Sequence, residues 1–163
     1  MAAIARKASI PLCALLLFAP SLRSGQAPAP ESETGKQSAQ VRAVLGAVSD
    51  DLAAGNATEA LTHFEDSMTN YDTLSSYWNG LVSAFYVSNG IQILDETDEP
   101  GRTKLSVRWD LTLTDLQSYY TENRSAELSV SLVRKDGKWR ISEFSPISLF
   151  DPGATPHRAK PKS

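Results

Sequence analysis

The spacing of apolar residues changes from a helical to an extended period near residue 90. Upstream of this point, apolar residues recur every three or four positions, which is typical of helices with one buried face. Downstream, they alternate with polar residues, which is typical of half-buried strands. Helices followed by strands predict one α+β domain rather than alternating βαβ units.

Three amphipathic helices are predicted before the change of period. Gly55 is expected to end the first helix, because glycine readily adopts the left-handed conformation found at helix ends. Asn56 is expected to cap the second helix, with Glu59 three positions later to complete the cap. The three apolar stripes are Val41, Val44, Leu45, Val48 and Leu52, then Ala60, Leu61, Phe64 and Met68, then Tyr71, Leu74, Trp78, Leu81 and Phe85.

Four strands are predicted after a turn at Asn89-Gly90. Further turns are expected at Pro100-Gly101, as a type II turn, and at Asp136-Gly137. Short connections of this kind join neighbouring strands, so we expect an antiparallel meander. The alternating apolar residues are Ile91 and Ile93, then Leu105, Val107, Trp109, Leu111 and Leu113, then Ala126, Leu128, Val130 and Leu132, then Trp139 and Ile141.

The N-terminus has the order of a secretory signal. Arg6 and Lys7 precede an apolar stretch at residues 10–19, and small residues follow at Gly25-Gln26-Ala27. We predict a signal peptide at residues 1–27, cleavage after Ala27, and a secreted or periplasmic protein. The apolar stretch is shorter than the ~20 residues that span a bilayer, so no membrane span is predicted.

The rest of the chain is predicted as a flexible leader at 28–37, the folded domain at 38–150 and a disordered basic tail at 151–163. Cleavage would remove Cys13, which is the sole cysteine, so no disulfide or thiolate site is expected. It would also remove three of the 16 basic residues, leaving 13 against 19 acidic residues and a net charge of −6. This balance argues against nucleic acid as a partner.

The element order and the closing hairpin carry a resemblance to a known superfamily. The predicted order is three helices, a curved antiparallel sheet, a hairpin at residues 135–141 and an exit at Phe144-Ser145-Pro146. This arrangement, over about residues 37–150, resembles the nuclear transport factor 2-like superfamily. The resemblance implies three N-terminal helices packed in a curved four-stranded antiparallel sheet, a cystatin-like cone. Relatives use the open end as a pocket, among them ketosteroid isomerases, polyketide cyclases and scytalone dehydratase.

The catalytic residues that the resemblance implies are missing from this chain. The isomerases place an oxyanion-binding tyrosine on the first helix, but the corresponding face here is aliphatic. The scytalone dehydratase site combines histidines, tyrosines and an aspartate, whereas this chain has only His63 and His157. No catalytic residue is therefore assigned, and a non-catalytic domain is expected.

Two residues are kept as candidates for acid–base chemistry. His63 is followed by Glu65 and Asp66, and histidine titrates near neutral pH; the alternative is a surface histidine. Asp115 shares the parity of inward residues on its strand, and the alternative is a solvated strand end. No second histidine or cysteine stands at ligand spacing, so no metal site and no cofactor are predicted.

A ligand pocket is one of two interpretations of the aromatic residues and two further carboxylates. In a cone fold some of these side chains would line a cavity, and the alternatives are core packing for the rings and solvation for the acids. The candidate pocket residues are Phe64, Tyr77, Trp78, Trp109, Trp139, Asp95 and Glu143.

The leading hypothesis is an exported, non-catalytic domain that binds a small apolar ligand or a protein partner. The alternative is a small isomerase, hydrolyase or cyclase-like enzyme acting on an apolar ligand in the cone. The outward strand residues are polar, which predicts a monomer or a weak homodimer. Asn56 and Asn123 each begin a glycosylation acceptor triplet, which matters only in a eukaryotic secretory pathway.

Overall fold

The structure is a computed structural model that describes residues 33–154. The predicted signal peptide, residues 28–32 of the predicted leader and residues 155–163 of the predicted tail lie outside the described residues. Within them the elements follow the predicted order, helices first and strands second. They are α1 (Glu33–Ala53), α2 (Ala57–Leu61), α3 (Tyr71–Ala84), β1 (Phe85–Glu99), β2 (Arg102–Asp115), β3 (Thr121–Lys135), β4 (Lys138–Ser145) and a 3₁₀ helix (Ile147–Phe150).

The first helix is longer than predicted, and its end is formed as predicted. α1 begins at Glu33, so residues 33–37 of the predicted leader are helical. Gly55 ends it with a left-handed φ of 77°. The Gly55 N–H donates to the Leu52 carbonyl at 3.1 Å and the Asn56 N–H to the Asp51 carbonyl at 2.8 Å. These two bonds form a Schellman motif, which satisfies carbonyls that the helix leaves unpaired.

The second helix differs from the prediction in both its cap and its length. Asn56 occupies the N-cap position, but its side chain makes no capping hydrogen bond. α2 covers five residues only, so Phe64 and Met68 follow the helix rather than belong to it. Both are nevertheless buried. The chain instead forms a parallel bridge between Phe64 and Ile141 of β4, which ties this connection to the sheet.

The four strands form one antiparallel sheet in the order β1-β2-β3-β4, which confirms the predicted meander. The predicted turn at Asn89-Gly90 is wrong, because β1 follows α3 directly at Phe85 and runs through both residues. Asn89 pairs with Leu111 and Gly90 with Asp110. Pairing along a long partner strand outweighs the local preference of an Asn-Gly dipeptide for a turn. Gly101, at 75°, and Asp136 and Gly137, at 51° and 78°, have the positive φ that the other two predicted turns require.

Two irregularities in the sheet reverse the side-chain parity beyond them. The register shifts between Ile93 and Asp95 in β1, and between Ser131 and Leu132 where β3 meets β4. An extra residue in one strand moves every following side chain to the opposite face. Asp95 and Glu143 are therefore exposed, and Phe144 takes the inward position at the end of β4.

The segment after β4 folds back onto the domain and is held by Arg124 of β3. The guanidinium donates to the carbonyls of Leu149 at 3.2 Å, Asp151 at 2.6 Å and Ala154 at 3.2 Å. It also pairs with Glu122, and both side chains are about nine-tenths buried. Residues 151–154, which begin the predicted disordered tail, are thus docked against the domain.

The β2–β3 turn is organised by Asp115. Its Oδ1 accepts hydrogen bonds from the backbone N–H groups of Gln117, at 2.9 Å, and Ser118, at 2.7 Å, and from the Ser118 hydroxyl at 2.9 Å. The Ser118 N–H, the Ser118 hydroxyl and the Gln117 N–H, in that order, hold the pKa of the Asp115 carboxyl below its ordinary value of 3.8. Asp115 is therefore an ionised residue that closes a turn.

Replacing Arg124 tests the clamp on the C-terminal segment. Arg124→Met is expected to lower the free energy of unfolding by about 3 kcal/mol, because Glu122 stays buried without its cation. Urea unfolding measures the change, with the exposed Arg108→Met as the control. The double variant Arg124→Met/Glu122→Gln should recover part of the loss. Wild-type stability in Arg124→Met would show that the clamp contributes nothing.

Acid unfolding tests the role of Asp115. A carboxyl whose pKa is lowered by folding contributes stability that is full above its unfolded pKa of about 3.9 and is lost as the pH falls through the folded pKa. The urea midpoint of the wild type should therefore fall more steeply below about pH 4 than that of Asp115→Asn, which keeps an amide oxygen as acceptor. Asp95→Asn is the matched control, and identical slopes for Asp115→Asn and wild type would contradict this role.

Candidate functional site

Five aromatic rings fill the interior of the cone between the helices and the sheet. They are supplied by the α2–α3 connection, α3, β2, β4 and the 3₁₀ helix, and are at most 3% exposed. The ring centroids of the contacting pairs lie 5.3–6.3 Å apart, mostly edge to face, which is the preferred geometry of packed rings. The rings are those of Phe64, Trp78, Trp109, Phe144 and Phe150.

Two indole groups inside this cluster lack an ordinary hydrogen-bond acceptor. The Nε1 atoms of Trp78 and Trp109 are buried and have no partner. Both rings pack edge to face against Phe144 and Phe150, and a phenylalanine side chain has no oxygen or nitrogen acceptor to offer. The cluster is thus an apolar core with two under-satisfied donors.

The other two predicted pocket aromatics lie outside this cluster of ring contacts. Trp139 of β4 donates its indole N–H to Gln40 Oε1 of α1 at 3.0 Å. Tyr77 of α3 is half-buried and packs against the edge of the core. Trp139 thus connects β4 to α1, whereas Tyr77 lies beside the core. Neither residue shares a ring contact with Trp78.

His63 meets a carboxylate, but a different one from those adjacent in sequence. Its Nε2 lies 3.4 Å from Asp51 Oδ2, and each side chain is about a quarter exposed. The Glu65 carboxylate, two residues after His63, lies 3.3 Å from Lys135 Nζ. Asp51 is contributed by the last turn of α1, so the pair joins α1 to the segment after α2.

The candidate carboxylates are dispersed over the surface. Asp95 follows the β1 bulge and is exposed. The Asp115 carboxylate accepts hydrogen bonds from the backbone of its own turn. Glu143 is turned outward by the second bulge and accepts a hydrogen bond from the Ser131 hydroxyl at 2.7 Å. Of the two interpretations of Asp95 and Glu143, pocket lining and solvation, their exposure agrees with solvation, because a bulge changes parity before each residue. His63, Asp115, Asp95 and Glu143 therefore do not converge.

Two of the surface clefts on the described domain lie at different places. A polar cleft of about 530 Å³ lies between the α2–α3 connection and the β3–β4 hairpin, where Lys135, Lys138 and Arg140 face Glu65 and Asp66. A second cleft, of about 540 Å³, lies between α1 and β1 and is bordered by Leu45, Ile91 and Ile93. Neither cleft is lined by Trp78 or Trp109, so both are separate from the aromatic interior.

Large exposed side chains gather at the β2–β3 end of the domain. Tyr86, Tyr119 and Tyr120 are 70%, 76% and 65% exposed, and Leu116 is 37% exposed. The backbone brings them together: Tyr86 pairs with Thr114 at the end of β2, and the Leu116 N–H donates to the Ala84 carbonyl at 3.0 Å. We call these four residues the tyrosine end.

Sequence reasoning missed several residues that the fold makes important. Phe144 and Phe150 complete the interior, Asp51 is the partner of His63, and Arg124 holds the C-terminal segment. The signal for Phe150 was its position among apolar residues in a segment next to the polar tail. No sequence signal pairs Asp51 with His63, because the contact depends on how α1 and α2 pack.

Within residues 33–154, no cluster of histidine, cysteine, aspartate and glutamate is suited to hold a metal ion. No helix in the same range is long and apolar enough to cross a membrane.

Comparisons with known proteins detect the fold. No family model and no curated protein matches the chain. Solved structures do: a conserved protein from Planctomyces limnophilus has a TM-score of 0.64 at 6% identity, covering 68% of this chain and 94% of that one. A protein from Novosphingobium aromaticivorans, whose name gives scytalone dehydratase as its candidate activity, has a TM-score of 0.60 at 12% identity, covering 67% and 81%.

A nuclear transport factor 2-like superfamily protein from Salmonella enterica has a TM-score of 0.56 at 8% identity, covering 69% of this chain and 92% of that one. Matches at identities this low show that the chains share a fold, and they do not show a shared activity. The described domain has the nuclear transport factor 2-like fold.

Proposed function

We propose that this protein is an exported, non-catalytic binding domain whose partner is another protein. The observation that carries the proposal is the filled interior. Five packed rings occupy the space that would otherwise receive a ligand, and Trp78, Trp109 and Phe150 are fully buried. A binding pocket for a small molecule needs a concave space with a few convergent polar groups. Binding is therefore assigned to the surface.

The dispersion of the acid–base candidates supports the non-catalytic part of the proposal. A general acid or base acts within hydrogen-bond reach of its substrate, and a catalytic set must converge on one point. Asp115 is occupied by its own turn, and Asp95 and Glu143 lie on the outside. These side chains do not share a cleft.

The alternative is a small isomerase, hydrolyase or cyclase-like enzyme. The observation in its favour is the pair of His63 and Asp51, since a carboxylate can orient a histidine that acts as a base. This alternative requires the C-terminal 3₁₀ helix to leave the cone so that a substrate can enter. The two functions therefore differ in whether the native interior accepts a ligand.

Binding of a small aromatic molecule tests whether the aromatic interior can accept a ligand. Indole should leave the melting temperature of the wild type unchanged and raise that of Phe150→Ala, because removing this ring creates an apolar cavity. Phe150→Ala is expected to be destabilised by about 3–5 kcal/mol, so Phe150→Leu serves as a milder second variant. Tyr86→Ala, which removes an exposed ring, is the control. Retention of one small molecule per chain by wild-type protein from its native host would overturn the proposal.

Export is tested by the mature N-terminus. The chain expressed in a host with a secretory pathway should be recovered outside the cytoplasm with Pro28 as its first residue, as read by intact mass. Ala27→Arg should block cleavage, because signal peptidase requires a small residue at this position. Thr97→Arg, within β1, is the matched control and should be processed normally. Recovery of wild-type chain in the cytoplasm with its N-terminal segment intact would contradict export.

A further inference from the structure

We propose that the tyrosine end is the docking surface for a cationic segment of the partner protein, one that carries arginine or lysine side chains. This inference rests on the proposed function, because it names the surface and the partner chemistry of that binding domain. The surface consists of Tyr86, Leu116, Tyr119 and Tyr120, as defined above.

The exposure of these side chains is the first argument. Three tyrosines that are 65–76% exposed contribute little to the core, whereas exposed aromatic patches commonly mark interaction sites. Tyrosine offers a large, rigid contact area at a low cost in side-chain entropy, together with a hydroxyl for hydrogen bonding. The tyrosine end therefore has the composition of a contact surface.

The acidic charge around the tyrosine end favours a positively charged partner. Residues 109–123 contain no lysine or arginine, and residues 84–92 contain no charged residue. Glu122 is paired with Arg124, so Asp115 in the turn and Asp110 further along β2 supply the acidic charge here. The Asp115 carboxyl accepts three hydrogen bonds, which lower its pKa and so favour its ionised form. Aromatic faces attract cations through the ring quadrupole, and a nearby carboxylate adds to that attraction.

Within the part of the chain that the structure describes, the two segments that form this surface, residues 84–92 and 109–123, contain no lysine or arginine. Arg124 is the nearest cation in sequence, but it is buried and committed to Glu122 and to three carbonyls. α3 ends at Ala84, beside Leu116, and has no basic residue in its last turn. The C-terminal end of a helix carries a partial negative charge, which favours a bound cation.

The loop also holds its tyrosines in place before a partner arrives. The Tyr119 N–H donates to the Asp115 carbonyl at 3.0 Å, and the Asp115 N–H donates to the Tyr120 carbonyl at 2.9 Å. Together with the bonds to Asp115 Oδ1, these contacts fix the backbone on both sides of the turn. A preformed surface loses less conformational entropy on binding than a mobile one.

The test measures binding of a short peptide of alternating arginine and glycine to the full chain by fluorescence anisotropy, with a glutamate–glycine peptide as the negative probe. The wild type should bind the arginine peptide and not the glutamate peptide. Tyr119→Ser/Tyr120→Ser should weaken binding about tenfold, since it removes two ring faces without changing the charge. Asp115→Asn should weaken binding severalfold.

The matched controls separate this surface from general attraction to an acidic protein. Asp136→Asn removes the same charge as Asp115→Asn but lies in the β3–β4 turn, and it should leave the affinity unchanged. Equal losses in Asp115→Asn and Asp136→Asn, with no effect of the tyrosine double variant, would overturn the proposal in favour of non-specific attraction. Melting temperatures confirm that each variant is folded.

Two other occupants are outcomes that would overturn the proposal. Arg158→Ser/Lys160→Ser/Lys162→Ser neutralises the basic tail of the chain, and a tenfold gain in peptide affinity would assign the surface to that tail. Self-association that Tyr119→Ser/Tyr120→Ser abolishes would assign the surface to a second copy. Absence of peptide binding by the wild type overturns this surface alone, because the proposed function is tested separately by ligand entry into the cone.

Discussion

The packing of aromatic rings inside the cone is the interaction on which the rest of the structure depends. The rings come from five separate parts of the chain, and each packs against at least two of the others. Phe150 completes the cluster, and it is held there because Arg124 fixes the carbonyls on either side of it. The C-terminal 3₁₀ helix thereby contributes one ring to the interior of the domain.

Because these rings are packed in the interior, the binding that we propose is assigned to the surface. Arg124 is used internally, so its charge neutralises Glu122 and is absent from the outside. Asp115 is likewise used to shape a turn, but its remaining charge stays at the surface beside exposed tyrosines. The same two residues that stabilise the fold thus leave one end of it aromatic and acidic. The carboxylate of Asp115 beside the exposed tyrosines is therefore the feature that connects this fold with the binding that we propose.

Much of the fold could be predicted from the sequence, whereas the candidate site could not. The inward residues of α1 and β2 follow directly from their spacing, because burial of one face imposes a period of 3.6 or 2. Asp95 and Glu143 share the parity of the inward residues of their strands, yet both are exposed, because each follows a bulge that only the register between strands reveals. The prediction of a turn at Asn89-Gly90 was wrong for a related reason, because pairing with β2 extends β1 through both residues.

By itself, the sequence determined the order of the elements, the faces that they bury and the positive-φ turns at Pro100-Gly101 and Asp136-Gly137. These features are local, because they depend on the periodicity of side chains and on backbone conformations that few residues adopt. Tertiary structure alone decided that the cone is filled, that Asp51 meets His63 and that the exposed tyrosines share one end. Those outcomes depend on contacts between residues far apart in the chain, and no local pattern records them.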